Sequence, residues 1–206
     1  GRGGDVRMTA DRLANENGSA IFTATLGGNG VGGEVLLKVG RLSLLGGLIQ
    51  SVTTNVGTDL NGDGVVDVTG AGGNVTVQGI QGAGTAANNV ALSGGSQIVS
   101  TAEGRADGGG ISIRATSLNL DGASTILSST NGTGRGGDIV VSVQQASFSG
   151  GATITSSTNL LDADAGAGGA ITVQGLQDPG SKADSLALTD AGTGINETIN
   201  DSSNQG

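Results

Sequence analysis

Gly136-Gly137-Asp138-Ile139-Val140-Val141-Ser142-Val143 is the stretch of sequence that decides the fold. Its first four residues belong to a pattern, Gly-Gly followed by any residue and then Val or Ile, that marks six repeats in the 206 residues and also matches once within a repeat, at Gly46-Gly47-Leu48-Ile49. The copies that mark the repeats begin at Gly3, Gly32, Gly72, Gly108, Gly136 and Gly168, at intervals of 29, 40, 36, 28 and 32 residues. Recurrence at this period is typical of proteins built from stacked structural repeats.

The residues after each Gly-Gly pair alternate between apolar and mostly polar side chains. In the fifth repeat Ile139, Val141 and Val143 form the apolar set. A period of two with one apolar set predicts a β-strand with one buried face. The equivalent sets elsewhere are Val6/Met8/Ala10, Val35/Leu37/Val39, Val75/Val77/Gly79, Ile111/Ile113/Ala115 and Ile171/Val173/Gly175.

Two further short strands are predicted in each repeat. The second starts near Leu13, Leu42, Val90, Leu118, Ala146 and Leu186, and a turn then leads to a third, marked by Ile21, Ile49, Ile98, Ile126 and Ile154. Three short strands per repeat predict an all-β fold, a right-handed parallel β-helix (β-solenoid) of about six coils. At about 4.8 Å per coil, six coils make a rod of roughly 29 Å.

A hydroxyl residue follows each third-strand isoleucine by two positions: Thr23, Ser51, Ser100, Ser128 and Ser156. These residues share the inward phase, so we expect an internal ladder that hydrogen-bonds between coils near a corner. An ice-binding array would instead need regular outward threonines. The outward sets are irregular, namely Phe22/Gln50/Val99/Leu127/Thr155 and Ala24/Val52/Thr101/Ser129/Ser157.

The repeats differ in where they carry extra residues. The third and sixth each have eight additional residues between the first and second strands. We therefore expect a single solenoid over residues 1–195, made of two three-coil units at about 1–107 and 108–195. Residues 196–206 are expected to be a polar tail or a truncated next coil. The insertions would form a ridge on one side, either functional or left over from duplication.

Composition narrows the class of protein. The formal charge is −9, from 18 acidic and 9 basic residues, which disfavours nucleic acid and anionic membranes as partners. No apolar run is long enough for a membrane-spanning helix. The 42 glycines recur at regular positions and only one proline is present, which favours tight corners over disorder. The absence of cysteine is compatible with a large bacterial secreted protein.

Two segments carry a resemblance to a known family. They are Gly134-Arg135-Gly136-Gly137-Asp138-Ile139 and Leu118-Asn119-Leu120-Asp121-Gly122-Ala123. With the anchor and the alternation, they resemble the repeats of filamentous-haemagglutinin-type exoproteins. Such proteins leave Gram-negative bacteria and cyanobacteria by two-partner secretion. The resemblance implies a long rod that is extracellular or on the outer surface of a bacterial cell, acting in adhesion, biofilm formation or contact-dependent competition.

A candidate Ca²⁺ loop lies at the third corner of the second repeat. Oxygen ligands at positions 1, 3, 5, 7 and 9, with Gly62 at position 6, match loops of the EF-hand or dockerin type. Position 12 is Gly70 where an acidic ligand is usual, and a solvated acidic turn is the alternative. A weaker candidate is the segment Asp162-Ala163-Asp164. The five residues of the main candidate are Asp59, Asn61, Asp63, Val65 (backbone carbonyl) and Asp67.

Three classes of function remain open. The first is a secreted structural β-solenoid that forms an extracellular fibre or cell-surface rod, with end-to-end self-association. The second is an adhesin shaft that binds host or neighbouring-cell glycans or proteins through its inserted loops. The third and most remote is a polysaccharide-processing enzyme. We expect no enzyme, because the chain has no histidine, and its only aromatic residues are Phe22 and Phe148.

Overall fold

The computed structural model describes residues 2–26, 30–54, 70–103, 106–159, 166–177 and 179–199, with only the backbone of Thr198 and Ile199. Within these ranges the structure is all-β, without α-helix. The strands are β1 (Val6–Glu16), β2 (Ala20–Leu26), β3 (Val35–Leu45), β4 (Leu48–Thr54), β5 (Val75–Gln78), β6 (Ala87–Ser93), β7 (Gln97–Ala102), β8 (Ile111–Leu120), β9 (Thr125–Thr130), β10 (Ile139–Phe148), β11 (Thr153–Thr158), β12 (Ile171–Gln174), β13 (Ser185–Leu188) and β14 (Gly194–Ile199).

The strands form two sheets in which the pairings are parallel. The first sheet has the order β1-β3-β5-β8-β10-β12, with β6 paired to β3 and β8, and β13 paired to β10. The second has the order β2-β4-β7-β9-β11-β14. Parallel neighbours need a long crossover connection. Here the chain passes from one sheet to the other in every repeat, so the crossover between neighbouring repeats of one sheet contains a strand of the other.

The register of the sheets follows the repeat of the sequence. In the first sheet the residue after each Gly-Gly-x triplet stacks on its equivalent, in the order Val6, Val35, Val75, Ile111, Ile139 and Ile171. In the second sheet the five predicted isoleucines stack in the same way, and Ile195 adds a sixth member. We call such a set of stacked equivalent residues a rank. The predicted alignment of the repeats is therefore confirmed within the described strands.

The prediction of three separate strands in every repeat is wrong in one respect. In four repeats the first and second predicted strands are one continuous strand, as in β3. Their inward phase nevertheless shifts by one residue, because Leu37 and Val39 are buried before Gly40, and Leu42 and Leu44 after it. Gly40 is skipped in the pairing with β1, which resumes at Arg41. Because neighbouring strands all bend at the same position, the hydrogen bonds between them continue on both sides of the bend. The corner therefore does not end the strand.

The core lies between the two sheets and consists of the inward ranks. Among the described residues, the fully buried hydrophobic side chains are aliphatic except for Phe148, which is 1% exposed. Members of the same ranks in the first and sixth repeats, such as Met8 and Val173, are only partly buried because they have a stacked neighbour on one side. Leu186 and Leu188 of β13 are 45% and 43% exposed for the same reason.

A rank of left-handed residues forms the turn between the two sheets. Its six members all have positive φ: Asn17 (56°), Gly46 (63°), Gly94 (63°), Gly122 (59°), Gly150 (61°) and Asp190 (74°). Only Gly, Asn and Asp adopt this region readily. The glycine-rich turns predicted from the sequence are confirmed here, and the two exceptions are the two other residue types that tolerate the same backbone.

Candidate functional site

The candidate Ca²⁺ loop lies outside the described residues. Asp59, Asn61, Asp63, Val65 and Asp67 all fall in the segment 55–69, and Asp162-Ala163-Asp164 fall in 160–165. Neither site is therefore tested by the structure, and both stay predictions. In the part of the chain that is described, no group of three or more His, Cys, Asp or Glu side chains is placed to hold a metal.

The Gly-Gly anchors lie at a crowded junction between successive repeats. A Cβ atom added to Gly109 would collide with the carbonyl oxygen of Gly73 in the preceding repeat, and would lie 2.5 Å from the Ser100 hydroxyl. Gly73 is in the same position against Gly33 and Ser51. Successive anchors approach so closely that no side chain fits between them. Steric crowding therefore explains the second glycine of the doublet.

The buried hydroxyl ladder bonds to these anchors. Four serines each donate to a glycine carbonyl at 2.8–3.0 Å: Ser51 to Gly33, Ser100 to Gly73, Ser128 to Gly109 and Ser156 to Gly137. Ser128 also accepts from the N–H of Gly137 at 2.9 Å, and Ser156 from the N–H of Gly169 at 2.8 Å. Each of these two serines thus bridges consecutive repeats, as the ladder prediction expected.

A second buried hydroxyl rank follows the first by two residues and was missed by the sequence analysis. Its threonines donate to backbone carbonyls of the third corner: Thr25 to Val31, Thr53 to Ala71, Thr130 to Ala106 and Thr158 to Ala167. The sequence signal was a threonine two residues further along the strand, which has the same inward phase as the first hydroxyl residue. Ser129 and Ser157, assigned to an outward set, are only 3% and 5% exposed. Small side chains in a closely stacked rank are covered by their neighbours.

The variable residue of the Gly-Gly-x-Val/Ile pattern also has a structural role. In the first, third and fifth repeats its side chain accepts a hydrogen bond from the backbone N–H of the next repeat. The pairs are Asp5 with Glu34 (2.9 Å), Asn74 with Gly110 (2.8 Å) and Asp138 with Ala170 (2.8 Å). Along this row, residues whose side chain accepts therefore alternate with residues whose backbone N–H donates.

Asp5 is also the centre of a charged cluster at the first repeat. Its carboxylate lies 3.0 Å from both Arg2 and Arg7, and Arg7 lies 2.8 Å from Glu34. The hydrogen bond from the Glu34 N–H is the main reason that the pKa of Asp5 is lowered, and the bond from Arg7 adds to it. The hydrogen bond between Arg7 and Asp5 also raises the pKa of Arg7.

The lowered pKa predicts an acid dependence. The contribution of Asp5 to stability is present above its unfolded pKa of about 3.9 and is lost as the pH falls through its lower folded value. Asp5→Asn should therefore differ from wild type in unfolding free energy above about pH 5, and the difference should shrink below pH 4. Carboxyl ¹³C NMR titration checks the pKa directly, and an Asp5 resonance that titrates at the ordinary value would contradict the assignment.

The two insertions project from the outer face of the first sheet. The first covers residues 79–86 and the second 175–182, of which residue 178 lies outside the described set. Each closes on itself through one equivalent bond, from Gly79 N–H to Thr85 (2.9 Å) and from Gly175 N–H to Ser181 (2.7 Å). The two insertions therefore close through equivalent hydrogen bonds.

Arg114 of β8 links the two insertions. Its Nε donates to the Gly84 carbonyl at 3.0 Å, and its Nη2 donates to the carbonyl of Leu176. Gly84 and Leu176 belong to the third and sixth repeats, and Arg114 to the fourth. A guanidinium presents several donors in a fixed plane, which suits it to hold two backbone segments at once.

Each insertion encloses a cleft against the repeat before it. The first cleft, of about 250 Å³, has Gly40 in its floor and is lined by Gln81, Ala86 and Asn88 among others. The second cleft, of about 400 Å³, is lined by Gln144, Leu176, Gln177, Ser181, Lys182 and Asp184. The second cleft is the larger, and it is lined mainly by hydrogen-bonding side chains.

Comparison with protein-family models, curated proteins and solved structures gave no match to this chain. The assignment of a function therefore depends on the geometry and the sequence pattern. None of the described residues forms a helix long and apolar enough to cross a membrane.

Proposed function

We propose that the chain is a right-handed parallel β-solenoid of six coils, and that it forms part of a secreted fibre or cell-surface rod. The carrying observation is the parallel register of both sheets, in which every repeat stacks on the one before it. Strand-to-strand crossovers in parallel sheets are right-handed in nearly all proteins, which supports the proposed hand. A chain that repeats one unit along an axis builds length and stiffness, which are the properties of a rod.

The surface location is supported by the composition of the chain and by its resemblance to a known family. The net charge of −9 and the absence of cysteine suit a secreted bacterial protein. The resemblance of the Gly-Gly-Asp-Ile segment at 136–139 to filamentous-haemagglutinin-type repeats points the same way. Buried hydroxyl bridges between repeats, as at Ser128, add to the backbone ladders and favour a persistent structure.

Immunogold electron microscopy of source cells tests this proposal. Antibodies raised against the chain should label extracellular filaments or the outer cell surface, and label confined to the cell interior would contradict it. The mass of the polypeptide, isolated from source cells and then denatured, distinguishes two forms of the rod. A mass near 19.7 kDa would mean assembly from separate subunits, and a much larger one would mean a single long exoprotein.

End-to-end self-association is part of the proposal. Within the described structure, β2 and β14 each pair on one side only, and unpaired strand edges are sites of association. Leu186 and Leu188 belong to inward ranks yet are exposed at the sixth repeat. Stacking of the first repeat of another copy on this face would cover them in the register already used within the chain.

A binding shaft is the second candidate function, with the inserted loops as the contact surface. The observation that favours it is the link through Arg114, which holds both insertions on one face of the first sheet. Loops fixed by hydrogen bonds present a preformed surface, which lowers the entropic cost of binding. The partners proposed are glycans or proteins on a host or neighbouring cell.

Ca²⁺ binding by the loop at 59–67 is proposed as an accessory property. Hard oxygen ligands at this spacing suit Ca²⁺, and a metal that binds only the folded chain stabilises it. Ca²⁺ at a hundred times its dissociation constant should raise the unfolding free energy by about 2.7 kcal/mol. Asp63→Ala should abolish that gain without changing the melting temperature in chelator. Equal melting of the wild type with Ca²⁺ and with chelator would contradict the site.

A further inference from the structure

We infer that the second cleft, between the second insertion and β10, is a binding site for a neutral, hydroxyl-rich saccharide segment. The inference rests on the second proposed function, binding through the inserted loops, and gives that function a site and a ligand class. It is carried by the difference between two clefts whose insertions close through equivalent hydrogen bonds.

The two clefts correspond position by position. Asn89 and Ser185 both occupy the rank that contains Ser117 and Gln145, so the residues before them, Asn88 and Asp184, are equivalent. By the same register, Gly40 in the floor of the first cleft corresponds to Gln144 in the second. Counting back along the insertions, Ala86 corresponds to Lys182 and Gln81 to Gln177.

The second cleft carries more polar side chains than the first, and of the two only the second is lined by charged side chains among the described residues. Where the first has glycine, alanine and asparagine at three lining positions, the second has Gln144, Lys182 and Asp184. In the first cleft the Ile80 side chain lies over Gly40, since a Cβ added there would lie 3.4 Å from the Ile80 Cδ1. The loop itself therefore does not require these polar groups, because the first insertion closes in the same way without them.

The second cleft is preformed. Asp184 is fixed to Gln144 twice, by its backbone N–H to the Gln144 carbonyl (2.7 Å) and by its carboxylate, which accepts from the Gln144 amide (2.8 Å). The second insertion is also tied to β12 by the Gly180 N–H, which donates to Gln174 at 2.9 Å. Gln174 in turn donates to Ser142 at 3.1 Å. Walls held in this way lose little freedom when a ligand binds.

The groups left over define the ligand. Among the described residues, no carboxylate lies within 4.0 Å of the Lys182 ammonium. The Gln177 side chain forms no hydrogen bond with a described residue. The second carboxylate oxygen of Asp184 also points to no partner among them. The cleft thus offers donors and acceptors side by side with no net charge, which matches vicinal hydroxyls that both donate and accept.

Other ligand classes fit the second cleft less well. An anionic polymer would approach a chain of charge −9 and meet the Asp184 carboxylate. A peptide would need apolar anchor pockets or an open strand edge. Among the described lining residues Leu176 is the one aliphatic side chain, a small apolar surface that suits the apolar face of a sugar ring better than an apolar peptide anchor. The volume of about 400 Å³ lies within the range of roughly 300–1,000 Å³ that small-ligand sites occupy.

The test is titration of the ¹⁵N-labelled full chain with neutral tetrasaccharides of glucose and of mannose, followed by NMR. Saturable shifts are expected at Gln177, Lys182 and Asp184. Asp184→Ala should weaken binding about tenfold, since it removes a charged acceptor. Asp184→Asn should retain more affinity, because the amide keeps one acceptor and the backbone bond to Gln144 is unchanged.

The matched controls are in the first cleft. Asn88→Ala and Gln81→Ala remove the equivalent residues and should leave the affinity unchanged, with folding checked by circular dichroism. The inference is overturned if no neutral saccharide gives saturable shifts, if the first-cleft variants weaken binding equally, or if an anionic saccharide or a peptide binds more tightly. Binding at the cleft without rods on source cells would refute the rod proposal and leave the site intact. Rods on source cells without saccharide binding at the cleft would refute the site and leave the rod proposal intact.

Discussion

Gly109→Ala is expected to destabilise the protein by about 3 kcal/mol or more, because overpacking and the loss of a buried hydrogen bond act together. The new Cβ would meet the Gly73 carbonyl and the Ser100 hydroxyl, which are themselves bonded to each other at 2.8 Å. Relief would require two successive repeats to move apart. For a chain of this length, 3 kcal/mol corresponds to a fall of about 6–12 °C in melting temperature.

Gly4→Ala is the matched control, and thermal unfolding followed by circular dichroism is the measurement. Gly4 holds the same place in the first doublet, but a Cβ added there meets nothing within 4 Å. The alanine should be neutral or slightly stabilising, since it restricts the unfolded chain. If Gly4→Ala and Gly109→Ala cost the same, crowding between the anchors is not the reason for the second glycine.

Phe148→Ala is expected to cost about 3–5 kcal/mol, the usual range for removing a buried aromatic side chain. Phe148 is 1% exposed and stacks on Leu120 in an inward rank. Its removal would leave a cavity that the flanking strands cannot fill, because backbone ladders fix their separation.

Phe22→Ala supplies the comparison, because Phe22 is the other phenylalanine of the chain and is 58% exposed. Chemical denaturation of both variants should show a large loss for Phe148→Ala and a change within about 0.5 kcal/mol for Phe22→Ala. Similar losses in the two variants would mean that the inward and outward phases of the strands are assigned wrongly.

The stacking of the repeats could be predicted because one anchor and one alternation recur in phase. Ile139 and its equivalents are fixed by steric and hydrophobic rules that act within a few residues. The sixth isoleucine, Ile195, escaped notice because no Gly-Gly pair follows it to mark the next repeat. Asp190 was missed as a turn residue because glycine holds that place in the preceding four repeats.

The insertions could be located in the sequence, but their contacts could not. Arg114 is 62 residues from Leu176, and the bond between them depends on the path of the second insertion across two repeats. The pairing of Gln144 with Asp184 likewise requires knowing which strand lies beside which. Periodicity predicts the register of a repeat, but it does not predict the contacts of residues that depart from the repeat.

The serine bridges have a mechanical consequence. Ser128 and Ser156 join anchors of consecutive repeats in the same direction as the backbone hydrogen bonds of both sheets. A pull along the stacking direction therefore acts on the serine bridges as well as on the backbone ladders, and two repeats separate only when both sets of bonds break. Such a chain should extend under tension in abrupt steps, each releasing the length of one repeat.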